Sequence, residues 1–331
     1  MRNQPLVTAI IPIRSKERPE LVLDYLGQAD VEPGLLQIIL VEGKSPSLQR
    51  NEAVARAKGE FVYFLDDDSY VDKHCIAEGL RYLKDTDVAV VGGPAITHDR
   101  ATLFETCSGL VMSSLFGGLM TRARNIPCGE PRAVKGDELI GCNLMVRKAD
   151  FQRVGGMDAR FHPGEEVEFL RRLREAKKLL YYNPKMLVSR TRRKLVNDLI
   201  HQFIRYGNAR GLIVFGSSPK ISDVIYFLPS FFLIYLALLS LLPSLILSIP
   251  LLLYMLLACL AAGQIGWKNR SALLAALAFP LFFVLHLSYG LGVLLGALHQ
   301  LAGSSNKSAT RVCLTELQSV PQFPNMVEVN P

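Results

Sequence analysis

Two long stretches of this chain carry no charged residue: Val224 to Gly263, and Ser271 to Gly303. A helix needs about 20 apolar residues to cross a bilayer. The first stretch is therefore long enough for two spans and the second for one. Pro243 and Pro250 fall where a tight hairpin would turn, which predicts helices near 224–243 and 247–264. A third, near 272–299, is long enough to be tilted, or broken around Gly290 and Gly292.

Basic residues orient these spans. Arg190, Arg192, Arg193 and Lys194 precede the first, and Lys268 and Arg270 lie between the second and third. The positive-inside rule puts both clusters in the cytoplasm. Three crossings then place the C-terminal tail on the far side, against the weak pull of Lys307 and Arg311. Met1-Arg2-Asn3-Gln4-Pro5 has no apolar signal region, so the first 220 residues are expected to be cytoplasmic. The expected protein is a multi-pass inner or plasma membrane protein. Its divisions are a catalytic domain over 1–189, an interfacial helix and linker over 190–221, a membrane domain over 222–303, and a polar tail over 304–331.

The 37 basic residues against 30 acidic ones fit anionic lipids and phosphorylated substrates. Aromatics do not interleave with the basic residues as in single-strand binders, so no nucleic-acid partner is expected. The six cysteines show no paired metal-ligand spacing. In a reducing cytoplasm they read as core residues.

Ahead of the membrane segments, strands alternate with helices, the pattern of a parallel α/β sheet. Leu6–Pro12, Leu36–Val41, Phe61–Leu65 and Val88–Val91 read as buried strands. Helices are predicted over Glu20–Gln28, from a Ser47 cap to about Lys58, and over Asp72–Leu83. Ile140–Val146 reads as a returning strand, and Pro163-Gly164-Glu165-Glu166 opens a helix over Val167–Ala176. No Gly-rich phosphate loop follows the first strand, which argues against dinucleotide-binding and P-loop folds.

The third strand releases Asp66-Asp67-Asp68 at its carboxyl end, where open α/β sheets bind ligands. Asp66 and Asp68, two apart in an extended segment, point the same way and could hold one hard divalent cation, Mg2+ or Mn2+. A cation so held keeps open positions for the phosphates of a nucleotide diphosphate.

In order and spacing these motifs resemble the family 2 inverting glycosyltransferases, over about residues 6 to 215. The likeness is closest to membrane-anchored glucosyltransferases of the succinoglycan type. It implies a single Rossmann-like nucleotide-sugar-binding domain, of the GT-A type, with a mostly parallel sheet followed by transmembrane helices. It also implies that Pro12, Arg14, Glu42, the Arg50-Asn51 pair and Asp67 line the donor, and that Asp66 and Asp68 hold the metal. Gly164-Glu165-Glu166 matches Gly-Glu-Asp, whose last carboxylate is the catalytic base, so Glu166, with Glu165 beside it, is the implied catalytic group. Glu42-Gly43-Lys44 replaces the usual Asp-Asp-Gly or Asp-Gly-Gly, Glu166 replaces Asp, and Ser189-Arg190 stands where many members carry a His.

Gln202-Phe203-Ile204-Arg205-Tyr206 is similar to the Gln-x-x-Arg-Trp motif of membrane polysaccharide synthases. At about 100° per residue, Leu195 to Asn208 forms an amphipathic interfacial helix with Gln202 and Arg205 on its polar half. The resemblance implies transfer of a sugar from a nucleotide diphosphate-sugar, UDP-linked by expectation, to a lipid-linked polyprenyl saccharide in polysaccharide assembly. Arg190, Gln202, Arg205 and Tyr206 are the further residues expected at the substrates. A polyprenyl-phosphate sugar synthase, a processive polysaccharide synthase and an inactive nucleotide-binding membrane scaffold are the competing readings.

Overall fold

A computed structural model describes residues 5–14, 19–32, 34–216, 221–302 and 326–329, which fall into two compact units. The first holds 5–98, 123–191 and 326–329 among these, and the second holds 99–122 and 192–302.

The first unit opens with β1 (Val7–Ile13), α1 (Glu20–Gly27), β2 (Leu36–Glu42), α2 (Pro46–Arg56), β3 (Phe61–Leu65), β4 (Ser69–Val71), α3 (Cys75–Leu83), β5 (Val88–Gly92) and β6 (Ala95–Thr97). The chain then leaves for the second unit through α4 (Leu103–Ser113), α5 (Leu115–Gly118) and a 3-10 turn, Leu119–Arg124, whose last two residues are back in the first unit. It returns with β7 (Arg132–Val134), β8 (Asn143–Arg147), α6 (Lys148–Arg153), α7 (Glu165–Glu175), β9 (Leu179–Tyr182) and β10 (Val188–Arg190). In the second unit follow α8 (Val196–Phe215), a 3-10 turn (Ile221–Phe227), α9 (Leu228–Leu241), α10 (Leu245–Lys268) and α11 (Ala272–Leu301). A short β11 (Met326–Val329) belongs to the first unit.

The large sheet runs β11-β2-β1-β3-β8-β5-β9-β7. It is parallel from β11 to β3 and mixed beyond, because β8 and β7 run against their neighbours. Both faces are covered. Ile10, Ile39, Val41 and Phe64 join one cluster with Val54, Phe151 and Phe169, whereas Ile11, Leu40, Tyr63 and Leu65 join another with Val22, Leu26 and Ile76. Continuous apolar strands are what burial on two faces requires. A second sheet, β4-β10-β6, pairs Arg190 with Ser69 on one side and Thr97 on the other.

Some local expectations shift. The α2 cap is Ser45, because Pro46 suits the first helical position, and Ser47 is buried inside the helix. Helix α3 starts at Cys75 instead of Asp72, and α7 starts at Glu165, putting both glutamates in its first turn. Pro250 lies inside α10, where the Tyr235 hydroxyl enters the helix ladder, donating to Leu247 O at 2.6 Å and accepting from Leu251 N at 3.1 Å. A side chain inserted this way is a recognised accommodation of a helix break.

Three helical segments are long and apolar enough to cross a membrane: Asp223–Leu241, Leu245–Lys268 and Ala272–Leu301. The third is unbroken at Gly290 and Gly292, which serve close contact instead. A Cβ on Gly207 or Gly211 of α8 would stand 2.2 Å from Tyr289 O or 2.4 Å from Val293 O of α11. One on Gly292 or Gly296 would meet Ile204 O at 2.2 Å or Asn208 O at 2.1 Å. The two backbones therefore touch through paired small-xxx-small motifs, as membrane helices do. The face that α8 hides is this glycine seam, with Leu199 and Phe203, while Leu195 and Val196 are exposed.

Helices α4 and α5 with the following turn form a pair bent by 71°. The chain on either side of it, through His98 and from Ala123, belongs to the sheet unit. Cys107 and Val111 pack into the cluster built from α8, α10 and α11. The tail differs from expectation. Met326–Val329 pairs in parallel with β2, whereas three single crossings would separate the tail from the sheet. The open edge of β2 offers the unpaired backbone that this strand fills.

Candidate active site

Strand ends converge on one edge of the first unit. Asp66 follows Leu65, whose cross-strand partner is Asn143. Asn143 is wholly buried, accepting from Tyr63 Oη at 2.8 Å and donating to Pro94 O and Met186 O at 3.0 and 2.7 Å. It ties the ends of β3, β5 and the approach to β10 together. Gln49, also buried, donates to Ile13 O and Val41 O and so fixes the ends of β1 and β2, where Pro12, Arg14 and Glu42 stand. Pro12 is partly buried and Arg14 is exposed.

Asp66 and Asp68 approach a single guanidinium. Arg190 Nη1 is 3.3 Å from Asp66 Oδ2, and Nη2 is 3.9 Å from Asp68 Oδ2. Thr191 Oγ1 donates to Asp68 Oδ2 at 2.9 Å. Asp68 Oδ1 is buried with no hydrogen-bond partner. Buried polar atoms are rarely left so, and a carboxylate oxygen in that state suits a hard cation. Among the described residues no third His, Cys, Asp or Glu joins this pair. A divalent cation held here would take its remaining ligands from water and phosphate oxygens. Asp67 faces outward; partial desolvation, then the charges of Asp68 and Asp66, raise its pKa, with Arg14 opposing.

Arg50 lies behind this pair, buried between two acids: Nη2 to Asp66 Oδ1 at 3.1 Å and Nη1 to Glu165 Oε1 at 3.0 Å. Its guanidinium also sits 5.7 Å from the centre of the Phe64 ring. Its observed partners are thus carboxylates, and it joins the Asp run to α7. Asn51 is similarly committed. Its amide donates to Met157 O at 2.7 Å and accepts from Met157 N at 2.8 Å, closing the Gly155–Gly156 turn. Both ends of its amide thus take part in holding this turn.

Glu165 and Glu166 are adjacent but chemically opposite. Gly164 adopts φ 139°, open to glycine, and caps α7. Glu165 Oε2 accepts from Gly164 N at 3.0 Å and lies 3.1 Å from His162 Nδ1. Burial alone would raise its pKa, but the His162 hydrogen bond and the Arg50 charge hold the carboxyl down at about 2. It is a fixed anion. Burial, then the charge of Glu165, push Glu166 above the ordinary glutamate range, with Arg124 opposing from 3.6 Å. The helix dipole favours both anions. Of the two, Glu166 is the one whose surroundings raise its proton affinity.

Arg124, His162 and Cys142 escaped the sequence reading. Arg124 is anchored through Nε to Asp137 O at 2.6 Å and leaves Nη2 buried without a hydrogen-bond partner. Cys142 Sγ lies 3.5 Å from Arg190 Nη1. Arg124 and Cys142 are brought in by partners distant in sequence, Glu166 and Arg190, whereas His162 meets Glu165 as an i,i+3 pair, a local signal that could have found it.

Gln202, Arg205 and Tyr206 belong to α8 in the second unit. Gln202 Nε2 donates to Tyr206 Oη at 2.8 Å, and Phe203 meets the Tyr206 ring edge-on at 5.9 Å. Tyr206 is thereby oriented while remaining exposed.

A sequence profile of glycosyl transferase family group 2 matches residues 61–295, spanning the Asp run, the paired glutamates and the apolar helices. The chain belongs to that family. Two strains of Mycobacterium tuberculosis carry a pre-mycofactocin glycosyltransferase 29% identical to this family member over 167 residues, half of the chain. That match spans 34% of the relatives' own length. A mannosyltransferase from Pyrobaculum calidifontis, solved with GDP-mannose and Mn2+, superposes with a TM-score of 0.55. It covers 89% of this chain and 87% of its own at 14% identity, a likeness of fold. The chain is thus a member of glycosyl transferase family group 2 with a GT-A-like fold and apolar helices that could cross a membrane.

Proposed function

We propose that this glycosyltransferase moves a sugar from a nucleotide diphosphate-sugar to a lipid-linked saccharide at a membrane, with inversion at the anomeric carbon. One observation carries the reading: of two adjacent glutamates at the start of α7, Glu165 is tied to Arg50 at 3.0 Å and to His162 at 3.1 Å, whereas Glu166 stands beside Arg124 at the longer distance of 3.6 Å, in surroundings that raise its pKa. Glu166 takes the proton of the acceptor hydroxyl as it attacks opposite the diphosphate. Asp66 and Asp68 would hold a divalent cation, Mg2+ or Mn2+, which when bound neutralises charge on the leaving diphosphate. Arg50 and Glu165 keep the two halves of the site in register. The Mn2+ and GDP-mannose bound by the structural relative support a metal and a nucleotide-sugar donor. The apolar helices and the oriented Tyr206 on α8 support an acceptor presented by lipid.

A base such as Glu166 favours a hydroxyl acceptor over a polyprenyl phosphate, whose oxygen needs little base catalysis. The test is a screen of labelled UDP- and GDP-sugars against membrane lipid extracts, with the product's anomeric configuration read by NMR. A retained configuration, or product formed equally by Glu166→Gln, would overturn the reading.

A further inference from the structure

We infer that Arg190 is a tethered cation that holds the Asp66/Asp68 site against bare metal and yields it when metal arrives with a nucleoside diphosphate. The inference rests on the proposed metal site and concerns how that site is loaded. Two carboxylates at the end of β3 repel one another, and a single guanidinium reaches both, at 3.3 and 3.9 Å. Its position is imposed by the backbone, because Arg190 stands opposite Ser69 in the β4-β10 ladder, three residues beyond Asp66.

The two arginines of the site are not equivalent. Arg50 is 5% exposed, shares its guanidinium with Glu165 and packs on Phe64. It stays in place whatever binds. Arg190 is 21% exposed, and its distances to the carboxylates, 3.3 and 3.9 Å, exceed those of Arg50. It is the cation that can withdraw. A divalent ion entering alone must displace a positive charge already paired with Asp66 Oδ2 and Asp68 Oδ2. An ion entering with a diphosphate gives the released guanidinium a new anionic partner, and guanidinium forks match phosphate oxygens well. Metal and nucleotide should therefore bind with strong mutual coupling, and the coupling is reciprocal. Arg190 is a positioning residue here, since it acts through the occupancy of the acid pair.

The test measures binding, not turnover. Mn2+ binding to the purified full-length protein is followed by electron paramagnetic resonance, without nucleotide and with saturating UDP or GDP. In wild type, nucleotide should tighten Mn2+ by tenfold or more. In Arg190→Ala, Mn2+ alone should bind at least tenfold more tightly than in wild type, and the nucleotide-induced gain should shrink. Arg190→Lys, which keeps the charge as a single point, should fall between the two and serves if the alanine variant does not fold. Mn2+ binding to either variant that is no tighter than wild type without nucleotide would overturn the inference, leaving the metal site intact. Absence of Mn2+ binding to wild type, even with nucleotide, would instead overturn the metal reading, and the inference with it.

Discussion

Removing Arg124 should move the acid limb of the activity profile toward higher pH. Arg124 Nη1 stands 3.6 Å from Glu166 Oε1, and both side chains are 15% exposed. At that separation a charge pair is worth about 1 kcal/mol in bulk water and about 5 kcal/mol at an effective dielectric of 20. One pH unit corresponds to about 1.4 kcal/mol, and an arginine beside a carboxylate typically lowers its pKa by about 1–3 units. The sign follows from which form Arg124 favours. It stabilises ionised Glu166, so its loss raises a pKa that burial and Glu165 have already raised. A base works when ionised, so activity is then lost at higher pH. The assay is kcat/KM for transfer across pH 4.5 to 9 in wild type and Arg124→Gln. The limb should rise by about one pH unit or more, with the plateau above it reduced less than tenfold. An unmoved limb, or one moved to lower pH, would refute the assignment of Glu166 as the titrating base.

Glu166→Gln should reduce transfer by about 10² to 10⁴, the usual worth of a general base, while donor affinity by calorimetry stays unchanged; an active Glu166→Gln beside a dead Glu165→Gln would exchange their roles. Asp68→Asn should abolish Mn2+ binding and transfer without altering the circular dichroism spectrum, and full activity in that variant or in excess chelator would remove the metal from the mechanism. Tyr206→Ala and Arg205→Ala should weaken transfer to lipid acceptor far more than donor binding, and normal transfer by both would leave α8 as an anchor only. Gly211→Leu should lower the thermal midpoint in detergent, since even a Cβ there meets a backbone oxygen at 2.4 Å and overpacking typically costs about 1–3 kcal/mol; an unchanged midpoint would mean the seam is dispensable.

The sheet was readable because strands buried on two faces are short apolar runs between turn residues, and β1, β2, β3 and β5 fall within a residue or two of expectation. The places of Asp66, just after β3, and of Glu166, in the first turn of α7, were likewise legible. What the sequence hid depends on long-range partners. The commitment of Asn51 is set by Met157, 106 positions away. Arg190 was expected at the substrates, but its pairing with Asp66 and Asp68 comes from a strand register that no local pattern reveals. Gly290 and Gly292 suggested a break because glycine weakens a helix, whereas Gly292 admits the backbone of α8 and Gly290 that of Pro229. Leu103 to Arg124 gave no sign of membrane-like packing because each half of the bent pair is too short to register as a span.

That bent pair also decides what can be cut. The boundary drawn near residue 189 suggests that the catalytic part could be produced alone by ending the chain there. Residues 99–122 lie upstream of that point, yet they complete their packing only with helices that begin at Val196. A chain stopped at Thr191 would keep Val111 and Cys107 while losing Leu199, Phe203, Ala258 and Phe282, members of the same buried cluster. Its fate is aggregation, or capture by detergent. Evolutionary exchange is limited in the same way: a different membrane anchor could not be grafted onto this transferase without also redesigning a segment threaded through the middle of its catalytic sequence.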